Sequence, residues 1–134
     1  MDKLRVLVAE DHEDFRGIVV ALLSSEFQIV GAVGDGEQLA QAAMFLQPDV
    51  VVSDIRMPVM NGFSARNELR SKGFIFPFVF MTTFDLKGVF NTEDAPVGYL
   101  HKNDLFNELK LAIQAVARGN SYMSQTFREN RGDE

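Results

Sequence analysis

PDVVVSDIRMPVMNG, Pro48 to Gly62, packs a strand, a carboxylate and a punctuated loop into fifteen residues. Asp49 to Ser53 spells DVVVS, a short β-branched run that reads as a strand. Asp54 stands at its carboxyl end, and Pro58 and Asn61-Gly62 mark the loop that follows. Upstream, Leu39, Ala43 and Leu46 recur at helix spacing until Pro48, and Asp35 with Gln38 resembles a capping box at that helix start. Downstream, Phe63 to Arg70 reads as a short helix.

The same alternation extends in both directions. Leu4 to Ala9 is a compact apolar run fit for a central strand, despite Arg5. Phe15, Ile18, Val19, Leu22 and Leu23 then form one helical stripe, and Phe27 to Val33 reads as a second strand. Pro77 to Met81 and Val97 to Leu100 read as the fourth and fifth strands. Leu105, Leu109, Ala112, Ile113 and Val116 give the clearest stripe, with Gly119 placed to end the last helix. Phe84 to Asp94, diluted by Gly88 and Asn91, predicts at most a short or irregular fourth helix. Strands alternating with helices imply a doubly wound α/β domain, a five-stranded parallel sheet with helices on both faces. The tail GNSYMSQTFRENRGDE turns polar and is expected to fray, which places the domain at residues 1–120 and leaves 121–134 as a tail or the start of a linker.

Composition narrows the function. With 134 residues, 46% hydrophobic and 24% charged, the chain suits one globular domain. A formal net charge of −6 argues against nucleic-acid binding through its own surface. Without cysteine there is no thiol chemistry, and His12 and His101 alone do not build a multi-histidine zinc site. No secretory signal or membrane-length apolar stretch is present, so no membrane partner and a cytoplasmic location are expected.

In an open α/β sheet, ligands bind beyond the carboxyl ends of the strands. Those ends carry Glu10-Asp11, Asp54, Thr82-Thr83 and Lys102. If their strands are neighbours, three carboxylates meet in one crevice. Either one of them takes a proton, or a cation neutralises them. Oxygen donors of this kind suit Mg²⁺. A carboxylate beside such a cation and an ammonium can attack phosphorus, and a Thr82 hydroxyl can bond a phosphoryl oxygen. Taken singly, each group has a simpler role: a helix start, a cap, a β-favouring threonine, a surface lysine.

The set resembles the receiver domain of two-component response regulators. The matching segments are VLVAEDH (Val6 to His12), PDVVVSDIRMPVMNG, the threonine of FMTT (Phe80 to Thr83) and GYLHK (Gly98 to Lys102), within residues 3 to 120. The resemblance implies a flavodoxin-like strand order 2-1-3-4-5. It implies Asp54 as phosphoacceptor, Asp11 as a direct Mg²⁺ (or Mn²⁺) ligand, Glu10 as a ligand through water and the Arg56 carbonyl as another ligand. Thr82 and Lys102 would hold the phosphoryl group, and Tyr99 would be the aromatic switch that turns inward when Thr82 moves. The implied partner is a sensor histidine kinase, with a homodimer possible on phosphorylation. EDH, DIRMP and AVARGNSYMS resemble the LuxR/NarL-type subgroup, which implies transcriptional output through a further helix-turn-helix domain.

Three features depart from the family. The segment between Thr82 and Tyr99 is short and lacks the Ala-rich helix ending in Gly-Ala. Thr83 replaces a smaller residue, which predicts tighter access to Asp54. Asn103 stands where many relatives have proline. Rival readings are weaker. A haloacid dehalogenase-type phosphatase needs a second Asp where Arg56 stands, and Gly31, Gly34 and Gly36 do not spell the dinucleotide fingerprint. A degenerate receiver used only for docking would not need the full set of Glu10, Asp11, Asp54, Thr82 and Lys102.

Overall fold

The structure, a computed structural model, describes residues 3–83 and 96–132. The expectation of an irregular helix over 84–94 falls outside the described residues. Five strands lie close to the predicted places: β1 (Arg5–Ala9), β2 (Gln28–Val33), β3 (Val50–Asp54), β4 (Phe78–Thr82) and β5 (Val97–His101). Helices α1 (Glu13–Leu23), α2 (Gly36–Leu46), α3 (Gly62–Ser71) and α4 (Leu105–Ala117) alternate with them. Beyond these come β6 (Tyr122–Met123) and α5 (Gln125–Gly132).

The pleat divides the core into two layers, because successive side chains leave opposite faces of a strand. Val6, Val8, Val50, Val52, Val79, Met81 and Leu100 pack under α1 and α4. Leu7, Ala9, Val51, Phe78, Phe80, Val97 and Tyr99 pack under α2 and α3. Burial on both faces explains why the strands read as continuous apolar runs rather than alternating ones. Arg5, the exception in β1, reaches the carboxyl end of α2, where its guanidinium donates to the carbonyls of Gln47 (2.8 Å) and Leu46 (2.9 Å). The capping signal also holds: Asp35 accepts from the Gln38 amide at 2.8 Å, and the Gln38 side chain accepts from Gly34 N at 3.0 Å. Gly119, at φ +89°, ends α4 as its sequence position suggested.

The sheet departs from the predicted five strands. It has six, all parallel, in the order β2-β1-β3-β4-β5-β6. The segment expected to fray supplies the sixth. Gly98 pairs with Tyr122 and Tyr99 with Met123, which covers an edge that would otherwise be open. The polar composition of the tail concealed a fully buried apolar anchor, Phe127, which is 1% exposed and lies in the α2–α3 layer. Its polar residues meet partners instead of water. Asp104 accepts from the Thr126 amide (3.0 Å) and hydroxyl (3.1 Å), and Glu108 accepts from the Gln125 amide (2.9 Å) and from the Tyr122 hydroxyl. Two carboxylates thus satisfy free amides at the amino end of α5.

Removing the anchor tests this docking. Phe127→Ala is expected to lower unfolding stability by about 3 kcal/mol, as for a buried phenylalanine. Urea titration measures it, and an unchanged midpoint would mean that the tail is frayed after all.

Candidate functional site: a carboxylate pocket at the strand ends

Central position in the sheet brings β1, β3 and β4 side by side, with β5 next to β4, so their carboxyl ends open on one crevice. β3 runs one residue further than its sequence suggested and ends on Asp54 itself, and β4 likewise ends on Thr82. Asp54 is 7% exposed, Thr82 1% and Glu10 0%. Burial this deep is costly for carboxylates unless a counter-charge is present. Lys102 provides one. Its Nζ donates to Asp54 Oδ2 at 3.1 Å and to Glu10 Oε2 at 3.3 Å, joining residues far apart in the chain. The ammonium also sits 4.4 Å from the centre of the Phe15 ring, an attractive cation–π placement at the start of α1.

The loop after β3 is held by close backbone approaches. Asp54 Oδ1 accepts from the Ile55 amide at 2.7 Å, and Gly62 N donates to Ile55 O at 2.8 Å. A Cβ on Gly62 would lie 2.4 Å from the Asp54 carbonyl oxygen, so only glycine lets the chain turn back under the aspartate. Asn61 caps α3 by accepting from Ser64 N at 2.8 Å. At the lip, Val59 adopts φ +71° while 75% exposed, a strained conformation for a β-branched residue.

The electrostatics follow from this crowding. Burial raises the Glu10 pKa above 4.5, and Asp54 raises it further through a hydrogen bond and charge repulsion; bonds from the His12 backbone and ring oppose the shift. His12 is raised in turn, first by its hydrogen bond to Glu10 and then by the Asp11 and Glu10 charges. Its Nδ1 lies 3.1 Å from Glu10 Oε1 and 3.4 Å from Asp11 Oδ1. That Asp11 oxygen is buried and accepts no hydrogen bond. Oxygen donors of Glu10 and Asp11 lie with the His12 ring within 4.8 Å of one another. An orphaned carboxylate oxygen beside the Glu10 carboxylate, which in turn shares Lys102 with Asp54, fits a hard divalent cation, which takes oxygen donors.

Comparison with known proteins agrees with the geometry. Residues 6–114 match the response regulator receiver domain. The chain belongs to that family. It is 35% identical to an uncharacterised transcriptional regulatory protein, YxjL, of Bacillus subtilis (strain 168), over 95% of this chain and 64% of that protein. It is 36% identical to the transcriptional regulatory protein PdtaR of Mycobacterium tuberculosis, over 81% of this chain and 56% of that one. The receiver domain of the putative response regulator NarL from Mycobacterium tuberculosis superposes with a TM-score of 0.80 at 28% identity, covering 90% of this chain and all of that one. A LuxR-family DNA-binding response regulator from Staphylococcus aureus gives 0.75 at 29%, over 85% and 98%. The chain thus spans less than two-thirds of these two curated relatives. Other relatives are named protein-glutamate methylesterases, of which it covers only 26%, so that enzymatic name describes those longer proteins.

This receiver brings Glu10, Asp54 and Lys102 into direct contact, with Asp11 beside Glu10. Thr82 stands across from His101 in the β4–β5 register, immediately before Lys102. Arg56 and Thr83 are exposed. Tyr99 is only 8% exposed, stacked near Phe80 at 6.1 Å between ring centres. Sequence reasoning missed three neighbours: His12, Phe15, and Arg16, whose guanidinium donates to the Glu10 carbonyl at 2.8 Å. Phe15 was legible only as core, and the other two sit in the first turn of a helix, where charge usually signals solvent.

Lys102→Met is expected to destabilise the receiver at pH 7 by about 2 kcal/mol, less than a fully buried pair because solvent reaches the site. Because the raised Glu10 pKa favours the protonated native state, that group's contribution is intact below about pH 4.5 and is lost as pH rises through the raised value. Denaturation of the metal-free proteins across pH 4.5–8 should therefore show the variant's deficit widening with pH. A deficit independent of pH would mean that Lys102 does not balance these carboxylates.

Proposed function

We propose that this receiver is a phosphorylation switch in which Asp54 accepts a phosphoryl group from a phosphohistidine of a sensor histidine kinase. The observation that carries the reading is the three-way contact of Lys102 with Glu10 and Asp54 at the carboxyl ends of the strands. An Asp54 carboxylate oxygen attacks phosphorus, the P–N bond breaks, and the imidazole leaves and takes up a proton. The Lys102 ammonium, already 3.1 Å from Asp54 Oδ2, is placed to follow the charge onto the phosphoryl oxygens. Thr82, on the adjacent strand end, contributes its hydroxyl. Asp11 and Asp54, the Arg56 carbonyl, and Glu10 through water would hold Mg²⁺ or Mn²⁺. When bound, the cation offsets negative charge on the phosphoryl oxygens. Tyr99 carries the change to the surface as Thr82 moves. The output is transcriptional, through a DNA-binding domain outside this chain, with dimerisation of the phosphorylated form. The likeness to curated transcriptional regulators supports this part of the reading.

Acetyl phosphate with Mg²⁺ is expected to add one phosphoryl group by intact mass, absent in Asp54→Ala. An adduct retained in that variant would place the acceptor elsewhere, and none in the wild type would leave a docking module.

Metal should also stabilise the unmodified domain. At ten times its Kd, Mg²⁺ binding to the native state alone adds about 1.4 kcal/mol. Thermal melts should show a rise for the wild type and none for Asp11→Ala. Equal rises in both would remove Asp11 from the site.

A further inference from the structure

The segment after α4 does more than close an edge. Its contacts gather on the two residues of β5 that flank Leu100. Ser124 N donates to the Tyr99 carbonyl at 2.9 Å, and the Ser124 hydroxyl oxygen accepts from His101 N, also at 2.9 Å. Tyr99 itself pairs with Met123. Phe127 lies edge-on to the His101 ring at 5.5 Å and shares the α2–α3 core layer with Tyr99 and Phe80. The 3₁₀ turn Lys102–Asp104 then joins the two sites: Lys102 at its start binds Asp54, and Asp104 at its end binds Thr126 of α5. One residue, Asn103, separates the ammonium of the pocket from the carboxylate that holds the tail. Arg128 completes the attachment, donating to the Met123 carbonyl at 2.6 Å and lying 3.5 Å from Glu108. Simple edge protection needs only the backbone pairing of β6. The buried phenylalanine and the acidic pair are additional.

We propose that Tyr122–Gly132 is a strap that holds Tyr99 inward and so biases the unmodified domain toward the arrangement that receives the phosphoryl group. The proposal rests on the phosphoacceptor reading and adds a regulator to it, the chain's own carboxyl-terminal segment. Tyr99 is buried in the unmodified domain, so its ring is there for the strap to hold. A ligand can shift two states only by its differential affinity for them, and the strap binds the surface that the inward state presents. By reciprocity, whatever the strap contributes to the phosphoryl-bound state, the phosphoryl group contributes to strap docking. A partner or a following domain that pulls the strap away would therefore weaken the response at Asp54.

The chain has no tryptophan and two tyrosines, so Tyr122→Phe leaves Tyr99 as the only emitter. In that background, without ligand, Phe127→Ala is expected to raise acrylamide quenching of Tyr99 toward that of free tyrosine. Arg128→Ala should do so to a smaller extent, and because Arg128 is half exposed it decides the matter if Phe127→Ala fails to melt cooperatively. Both strap variants should also bind beryllofluoride with Mg²⁺ more weakly than their parent, about fivefold or more for Phe127→Ala. Quenching unchanged in the folded variants overturns the proposal, and so does raised quenching with equal or tighter beryllofluoride binding. If the parent binds no beryllofluoride, the phosphoacceptor reading falls, and the quenching comparison alone decides whether the strap holds Tyr99.

Discussion

An ammonium shared between two buried carboxylates is the constraint on which the rest of the molecule depends. Glu10 and Asp54 end neighbouring strands at near-zero exposure, where their charges would otherwise repel in a poorly hydrated pocket. Lys102 reaches both from β5, on the far side of β4. The arrangement explains why the strands must be parallel and centrally buried, since only then do all these ends face one way. It also shows where a cation would act: burial and the neighbouring Asp54 charge raise the Glu10 pKa, and a cation beside the pair would offset that repulsion.

Around that centre, stability and function use the same contacts. Gly62 and Asn61 turn the β3–α3 loop back under Asp54, and Val59 is left strained and exposed at its lip. Lys102 lies on the face of Phe15, so the first turn of α1 is part of the pocket wall. The short turn after β5 places Lys102 of the pocket next but one to Asp104, which with Glu108 seats α5. The pocket at one end of the sheet and the strand that closes its outer edge are thus tied to the same short turn.

Most of this was legible where one residue type has one strong preference. Continuous apolar runs between helical stripes gave five strands and their helices, because burial on both sheet faces forces such runs. Acidic and basic groups at the strand ends marked the crevice. The sixth strand and α5 were not legible, because a mostly polar segment hides a buried apolar side chain, Phe127, and hydrogen bonds to Asp104 and Glu108 replace a hydrophobic signal. Pattern reasoning sees the stripe and not the partner. His12 was hidden for a related reason: its importance comes from contacts to Glu10 and Asp11, not from its own environment, which is exposed.

The measurement that bears most directly on the central claim is paramagnetic broadening of backbone amides on titration with Mn²⁺. If Glu10, Asp11 and Asp54 form one cation pocket under Lys102, the amides of Glu10, Asp11, Asp54 and Ile55 should broaden first and together, at substoichiometric metal. Magnesium should reverse the effect. Broadening that begins instead on other acidic surfaces, such as Glu13 and Asp14 in the first turn of α1 or the Asp104–Glu108 pair, would contradict the account.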